Sequence, residues 1–246
     1  MGTADLHIHT AYSPDGTATV RAVMKQAVEV GLNVIAITDH DCIRGSLEAQ
    51  DLTSAYGLEV IPASEVSTAD GHLLALFIRR DVPKGLSLVD SLRNIADQGG
   101  ICIAPHPGGQ KSLSLDPDLI HWTMQDPELA KTLVGMEIFN ACMWIPGWNG
   151  VAVELALEHP FALVGSSDAH ILRMIGKGAT SFHGTSAAAL RCDLEEKRTM
   201  TVTMPIDPRL LLAADWFGSL VMRYAGWVND SPYPQAPLHL ARLSHT

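Results

Sequence analysis

The sequence lacks the features that mark disulfide-rich, cysteine-metal or nucleic-acid-binding proteins. Its 246 residues include four cysteines, which are far apart and form no Cys-x-x-Cys pair. This spread argues against a disulfide framework or a cysteine-rich zinc site and favours free thiols in a reducing compartment. Basic residues are also scarce, since 17 Lys and Arg stand against 27 Asp and Glu and give a net charge of −10. A basic surface for nucleic acid is therefore not expected.

No segment predicts a signal peptide or a membrane span. The N-terminal stretch carries the acidic Asp5 and has no basic run followed by an apolar one. The most apolar stretch, Leu210 to Trp227, contains Asp215 and Arg223 and is interrupted by Gly218, so it predicts a packed amphipathic helix. We therefore expect a cytoplasmic protein with no membrane partner. The sequence does not specify an oligomeric state.

Short apolar runs alternate with longer helical patterns along the chain, and Gly31, Gly57 and Gly99 each follow a helical pattern. This alternation is typical of a mainly parallel sheet covered by helices, and seven units favour a nearly closed β/α barrel. We expect one domain with its core at about residues 3–200 and with a C-terminal helix and tail, 201–246, packed outside. The predicted strands are Asp5–His9, Val34–Thr38, Glu59–Ala63, Leu73–Ile78, Ile101–Ala104, Met136–Phe139 and Ala162–Val164. The predicted helices are Val20–Val30, Gly45–Tyr56, Leu88–Asp97, Pro127–Leu133 and Val151–Glu158.

Residues of the types that commonly bind metal ions, His, Asp and Glu, follow almost every predicted strand. Alternate residues of a strand share a face, so His7 and His9 can hold one ion, and Asp168 with His170 repeats the spacing. The carboxyl ends of the strands in a β/α barrel meet at one rim, where active sites form. Mixed imidazole and carboxylate ligands suit Mn, Fe or Zn and not calcium. The nine candidate ligands are His7, His9, Asp15, His40, Glu65, His72, His106, Asp168 and His170.

These positions resemble the four motifs of the PHP (polymerase and histidinol phosphatase) family. The resemblance runs from Asp5 to about Gly184 with the motifs in family order, and it implies a distorted (β/α)7 barrel. The matching segments are Asp5-Leu6-His7-Ile8-His9-Thr10, Thr38-Asp39-His40, Glu65, Ala104-Pro105-His106-Pro107 and Ser167-Asp168-Ala169-His170.

The resemblance also implies how two or three divalent ions are shared among the ligands. His7, His9, Glu65 and Asp168 would hold the first ion. Glu65 would bridge to a second ion, held also by His72 and His106, and Asp15, His40 and His170 would hold the third. Histidinol phosphatases of the family usually carry histidine at the position of Asp15, so the chain is more similar to the branch acting on nucleotides and small phosphates.

The charge of such a site indicates the class of substrate. Three carboxylates and three divalent ions would leave a net charge of about +3, which favours a phosphate ester inside an otherwise acidic protein. A hydroxide bridging the ions is the expected nucleophile. We therefore predict a hydrolase of small nucleotide-type or sugar-type phosphate esters. Its expected catalytic residues are Asp15, His40, Glu65, Asp168 and His170.

Two other functions are compatible with the same ligands: hydrolysis of an amide, carbamate or carboxylic ester, and a non-catalytic metal-binding regulatory role. Asn140, Arg173 and Lys177 are candidates for binding the substrate. Asp5 and Asp39, each next to a ligand, are expected to orient a neighbouring imidazole. Specificity is expected to reside in the loops at Gly108–Asp118 and Cys142–Asn149.

Overall fold

The computed structural model describes residues 1–109, 113–143 and 147–226, without the side chain of Trp148. All seven predicted strands are present within these residues, and two further strands follow them. In the described part of the chain the strands are β1 Gly2–Ile8, β2 Val34–Ile37, β3 Glu59–Thr68, β4 Gly71–Leu76, β5 Ile101–Ala104, β6 Leu133–Asn140, β7 Ala162–Ser166, β8 Gly178–Phe182 and β9 Met200–Thr203.

The helices lie between the strands and begin at recognisable caps. Thr19 accepts a hydrogen bond from the amide of Ala22 at the first helix, and Asp116 and Asp126 each precede a helix that starts with proline. Within the described residues no helix is both long enough and apolar enough to cross a membrane. The helices are α1 Val20–Glu29, α2 Arg44–Asp51, α3 Thr53–Tyr56, α4 Leu88–Ala96, α5 Pro117–Gln125, α6 Pro127–Thr132, α7 Trp148–Glu158, α8 Ala187–Glu195 and α9 Arg209–Tyr224.

The strands form one sheet in the order β7-β6-β5-β4-β3-β2-β1-β8-β9. Four of its pairings are parallel, and those of β3 with β4, β4 with β5, β1 with β8 and β8 with β9 are antiparallel. The predicted barrel is confirmed, but the sheet is more mixed than expected because β4 and β8 run against the other strands. A two-residue turn between β3 and β4 leaves no room for a helical crossover, so these neighbours must be antiparallel.

The sheet curls until β7 lies beside β8. The hydroxyl of Thr180 donates to the Gly165 carbonyl (2.8 Å) and accepts from the Gly165 amide (3.2 Å), and Thr199 donates to the Leu163 carbonyl (3.0 Å). Side-chain hydrogen bonds therefore connect β7 to β8, because no regular backbone ladder forms between these two strands. Inside, an apolar cluster draws on the strands from β1 to β8 and on Leu190 and Leu194 of α8. Helix α8 thus closes one end of the barrel and leaves the other end for the polar residues.

An irregularity in β1 determines which side chains face the barrel interior. Ala4 and Leu6 belong to the inner apolar cluster, whereas Ile8 belongs to the outer cluster that packs against α1. The pairing of β1 with β2 shifts register between Asp5 and Ile8, as a β-bulge does. Because the bulge reverses the alternation of faces, His7 and His9 point inward beyond the apolar layer.

The buried carboxylate of Asp193 in α8 stabilises the closed end of the barrel through hydrogen bonds. Asp193 is buried and accepts four hydrogen bonds, two from His183 and two from Arg198. Burial raises the pKa of Asp193, but these hydrogen bonds outweigh burial and place the pKa below its ordinary value. A depressed carboxyl pKa contributes stability above the unfolded-state pKa of about 4, and that contribution is lost as the pH falls through the folded-state value.

We expect Asp193→Asn to lower the free energy of unfolding by about 2 kcal/mol at pH 7, because the new amide places N–H groups against donors. The difference from the parent protein should shrink below about pH 4. Urea denaturation at pH 7 and at pH 3.5 measures both effects. Glu128→Gln, which breaks an exposed ion pair with Lys131, is the control and should change stability by less than about 1 kcal/mol. Equal losses in the two variants would contradict the prediction.

Candidate metal centre

The nine predicted ligands come together at the open end of the barrel. Four overlapping groups among them bring ligand atoms within 4.8 Å of one another, and shared members join the groups into one cluster. The groups are His9, Asp15, His40 and His170; His7, Glu65 and His106; His7, His9 and Asp168; and His40, Glu65 and His72.

Glu65 stands at the centre of the cluster and is almost completely buried. One carboxylate oxygen, Oε2, lies 3.2 Å from His7 Nε2, 3.3 Å from His9 Nε2 and 3.3 Å from His40 Nδ1. The other oxygen, Oε1, lies 2.8 Å from His72 Nδ1 and 3.1 Å from His106 Nε2. The two oxygens therefore face two separate sets of imidazoles, which is the arrangement of a bridging ligand. This geometry is compatible with a bridging role of Glu65, which stays a prediction.

The remaining carboxylates complete the other two groups. Asp168 Oδ1 lies 3.4 Å from His7 Nε2 and 3.3 Å from His9 Nε2. Asp15 Oδ2 lies 3.2 Å from both His40 Nε2 and His170 Nε2. His40 presents one ring nitrogen to Glu65 and the other to Asp15, so it connects two groups.

His72 reaches the cluster because β4 is antiparallel to its neighbours. His72 is the second residue of β4 and pairs with Ser67, two residues beyond Glu65. The beginning of an antiparallel strand lies at the edge where its neighbours end. A parallel β4 would have placed His72 at the opposite end of the barrel. The mixed sheet, which the sequence pattern did not predict, is thus the reason why this predicted ligand belongs to the cluster.

Two predicted ligands have unusual backbone conformations. Asp168 has φ = 51° and His106, between two prolines, has φ = 33°. Both values lie in the left-handed region, which costs free energy for residues other than glycine and persists where surrounding contacts enforce it. Here the enforcing contacts include the Glu137 carboxylate, which accepts a hydrogen bond from the His106 amide (2.8 Å).

Hydrogen bonds on the outer side of the cluster orient several of the imidazoles. His7 Nδ1 lies 2.9 Å from Glu137, His9 Nδ1 lies 3.2 Å from the Ser13 hydroxyl, and His170 Nδ1 lies 2.9 Å from the carbonyl of Asp168. In each ring the other nitrogen, Nε2, then faces the cluster. A partner on one ring nitrogen selects the tautomer that leaves the other nitrogen unprotonated, as a metal ligand must be.

Glu137 is a site residue that sequence reasoning missed. It lies in β6, is fully buried, and accepts from His7 and Ser166 on one oxygen and from His106 and Asn140 on the other. A single acid inside the apolar run Leu133–Asn140 was the available signal, because a charged residue is rarely buried without partners. No ligand motif surrounds it, so the pattern did not reveal its role.

Asp5 and Asp39 do not orient imidazoles, so that prediction is wrong. Asp5 accepts hydrogen bonds from the amides of Ser167 (3.0 Å) and Gly176 (2.9 Å), and burial raises the pKa of Asp5 to about 6. Asp39 accepts from the amide (2.6 Å) and the hydroxyl (2.8 Å) of Thr10. Both carboxylates therefore fix the backbone that carries the ligands, and the predicted orienting role belongs to Glu137.

The three predicted substrate-binding residues lie close to the cluster or behind it. Asn140 is buried and donates to Asp168 Oδ2 (3.2 Å). Arg173 forms an ion pair with Asp215 of α9 (2.6 Å), and the ammonium group of Lys177 lies 3.5 Å from Asp207. Substrate binding by Asn140, Arg173 and Lys177 stays a prediction.

The electrostatics of the cluster favour bound cations. Burial alone lowers the pKa of His7, but the negative charges of Asp168, Glu65 and Glu137 outweigh it and raise the pKa well above its ordinary value. At Glu65 burial acts to raise the pKa, yet the surrounding imidazoles hold the pKa well below its usual range. Buried carboxylates held ionised in this way require positive charge nearby, whether from protons on histidine or from metal ions.

The donor set fits divalent metal ions. Two ligand atoms that are each about 2.1 Å from one ion lie roughly 3.0–3.4 Å apart for ligand angles between octahedral and tetrahedral. The imidazole nitrogen–oxygen distances around Glu65 and Asp168 run from 2.8 Å to 3.6 Å, and six of the eight lie between 3.1 Å and 3.4 Å. In addition, His9 Nε2 and Asp15 Oδ1 are buried without a hydrogen bond of good geometry, although two carboxylate oxygens lie 3.3 Å from His9 Nε2. Such atoms are rare in folded proteins unless an ion or water occupies the space between them.

Helix α9 holds the loop that carries Asp15. The Arg223 guanidinium donates to the carbonyls of Ala11 (3.0 Å), Ser13 and Gly16, and Trp216 Nε1 donates to the Asp15 carbonyl (3.4 Å). Three carbonyls on one guanidinium leave the loop little freedom. The C-terminal helix, expected only to pack outside the barrel, thus contacts the backbone of a predicted ligand.

We expect Arg223→Ala to loosen residues 11–16 and to weaken binding of one metal equivalent about tenfold, since misplaced supports of ligands cost tenfold or more in affinity. Hydrogen exchange of the loop amides and metal titration by calorimetry measure the two effects. Arg209→Ala, at the exposed start of the same helix, is the matched control. Unchanged exchange in residues 11–16 of Arg223→Ala would refute this account of the helix.

Comparisons with known proteins show the family of the chain. A family model described as PHP domain matches residues 5–106, and a second, described as PHP-associated, matches residues 146–199. An uncharacterised protein of Methanocaldococcus jannaschii is 38% identical over 148 residues, which are 56% of this chain and 81% of that protein. A phosphoribosyl 1,2-cyclic phosphate 1,2-diphosphodiesterase of Eggerthella lenta is 33% identical over 93 residues, 35% of either protein.

A solved structure shares the fold. It is a two-domain protein of Bacteroides vulgatus that contains a predicted PHP-like metal-dependent phosphoesterase. The likeness has a TM-score of 0.67 at 20% identity and covers 88% of this chain and 69% of the other. At that identity the comparison shows the barrel architecture alone.

Proposed function

This chain belongs to the PHP domain family, and we propose that it is a metal-dependent hydrolase that cleaves phosphate esters of small molecules. The observation that carries the proposal is the position of Glu65, whose two carboxylate oxygens face five imidazoles in two sets. A single structural ion needs four ligands, whereas this cluster offers nine. The surplus favours a catalytic centre with two or three ions.

The exposed side of the cluster indicates where a substrate approaches. The side chains of Asp15, His40 and His170 are 32%, 18% and 19% exposed, whereas those of His7 and Glu65 are buried. A substrate therefore meets the group around Asp15 first. His170 and His40 lie in position to bind or orient the phosphate there, and Glu65 and Asp168 hold the buried part of the centre.

Charge favours a phosphate over a neutral substrate. With Glu137 the centre has four carboxylates, so three divalent ions would leave it at about +2 inside a protein of net charge −10. Bound ions would activate water and offset the negative charge that builds up on the phosphate oxygens. Asn140 and Glu137 keep Asp168 and His7 in place during this reaction, since each is buried and hydrogen-bonded to its ligand.

One relative supports a phosphorylated substrate. The Eggerthella lenta protein is named as a diphosphodiesterase of phosphoribosyl 1,2-cyclic phosphate. A long nucleic acid is less favoured here because binding to its backbone depends on Lys and Arg, and acidic residues outnumber these by 27 to 17.

Metal-loaded protein should hydrolyse aryl phosphates such as p-nitrophenyl phosphate with Mn, Fe or Zn, and chelation should abolish the activity. The test is a panel of phosphate monoesters, phosphodiesters and a short RNA oligonucleotide, assayed with each metal. An aryl carbamate and an aryl acetate serve as the comparison for amide or ester hydrolysis. Turnover of the carbamate alone would replace the proposed reaction, and tight metal binding without any turnover would leave the regulatory alternative.

A further inference from the structure

An apolar cavity adjoins the exposed side of the metal centre. It has a volume of about 450 Å³, and the His170 imidazole forms part of its wall. His170 Nε2 lies 3.2 Å from Asp15, so the cavity begins beside the group of ligands that a substrate meets first. Its other walls are formed by Leu113, Cys142, Ile171, Met174, Leu212 and Trp216.

The walls are unsuited to a sugar. Among the described residues, the lining contains no hydroxyl, carboxamide or charged side chain besides the His170 imidazole. The indole N–H of Trp216 is already donated to the Asp15 carbonyl (3.4 Å). Sugar hydroxyls placed here would lose their hydrogen bonds to water and find few partners on the described walls, which offer only the His170 imidazole and the Cys142 thiol, whereas an alkyl or aryl group would lose only contact with water.

Helix α9 forms one wall of the cavity with Leu212 and Trp216, and its contacts with the barrel hold the helix in place. Leu212 is buried in the cluster that also contains Ile171 and Met174. The ion pair between Asp215 and Arg173 and the hydrogen bonds of Arg223 anchor the helix on either side of Trp216. The cavity is therefore a built part of the fold, and its size lies within the range typical of small-molecule sites.

We infer that this cavity receives the alcohol portion of the substrate, and that the substrates are phosphate monoesters of alkyl or aryl alcohols. The inference rests on the proposed hydrolase activity and specifies its substrate class, in place of the sugar and nucleotide phosphates expected from the sequence. In the reaction the bond between phosphorus and the alcohol oxygen breaks and a bond to the oxygen of water forms. One proton of that water ends on the released alcohol.

Two primary-alcohol esters, hexyl phosphate and glycerol 3-phosphate, test the inference. The metal-loaded full chain should show a kcat/KM at least about tenfold higher for hexyl phosphate, because only its chain gains from leaving water. Trp216→Ala should reduce that ratio several-fold, and Met174→Gln, which changes polarity at similar volume, should do the same. Phe217→Ala, whose side chain is 67% exposed on the same helix, should keep the parent ratio.

Calorimetry separates failure of this inference from failure of the proposed activity. Hexylphosphonate and methylphosphonate, which lack the scissile ester bond, are titrated into the metal-loaded protein and the same variants. Tighter binding of hexylphosphonate that Trp216→Ala removes would support the cavity even if no phosphate ester were hydrolysed. Hydrolysis of both esters at equal kcat/KM, equal affinity for both phosphonates, or a preference retained in Trp216→Ala and Met174→Gln would overturn the inference.

Discussion

Glu65→Gln is expected to lower kcat/KM for a phosphate ester by at least about 1,000-fold and to remove at least one equivalent of bound metal. The carboxylate faces five imidazoles, and both of its oxygens are engaged. Glutamine keeps the shape but replaces one oxygen by an N–H donor that repels a cation and points at ring nitrogens. Losses of this size are typical when a group that acts as part of a catalytic unit is removed.

The measurement combines metal content by mass spectrometry with steady-state kinetics on the same preparation. Glu29→Gln, an exposed glutamate at the end of α1, is the matched control and should retain metal and activity. Full metal content together with near-parental activity in Glu65→Gln would show that Glu65 is not the bridging ligand.

Glu137→Gln is expected to weaken metal binding by about 10- to 100-fold without removing any predicted ligand. Glu137 accepts hydrogen bonds from four donors, among them His7 Nδ1 (2.9 Å) and the His106 amide (2.8 Å). A carboxamide can accept on one side only, so its N–H₂ group would face donors and shift either the His7 ring or the Asp168 support Asn140. When the His7 ring is oriented less firmly, the affinity of the site for the ion bound by His7 falls.

Metal dissociation constants by competition with a chelating dye, and kcat/KM at saturating metal, test this expectation. A positioning role predicts that added metal largely restores activity in Glu137→Gln, which loss of folding would not allow. Glu154→Gln, exposed in α7, is the control. An unchanged dissociation constant would show that Glu137 stabilises the barrel without acting on His7.

The residues of the cluster could be selected from the sequence because their signal is local, and their role as metal ligands stays a prediction. His7 with His9 and Asp168 with His170 each sit two residues apart at the end of an apolar run, and both features are visible within ten residues. The seven apolar runs that became β1 to β7 were equally visible. β8 and β9 were not, because Gly178–Phe182 is short and rich in small residues and Met200–Thr203 is partly exposed.

The residues that form hydrogen bonds with the predicted ligands could not be predicted from the sequence in the same way. Glu137 meets His7 across 130 residues of chain, and Trp216 meets the Asp15 carbonyl across 201. The direction of β4, on which the place of His72 depends, follows from strand pairing and not from the composition of the strand.

The sequence alone thus determined which imidazole and carboxylate donors follow the strands, and donors at the ends of neighbouring parallel strands lie at the same edge of a sheet. The tertiary structure decided the orientation of the donors and the character of the cavity beside them. These properties arise from contacts between segments far apart in the chain, such as α9 against the loop of Asp15, and a local pattern contains no information on which distant segment will be the neighbour.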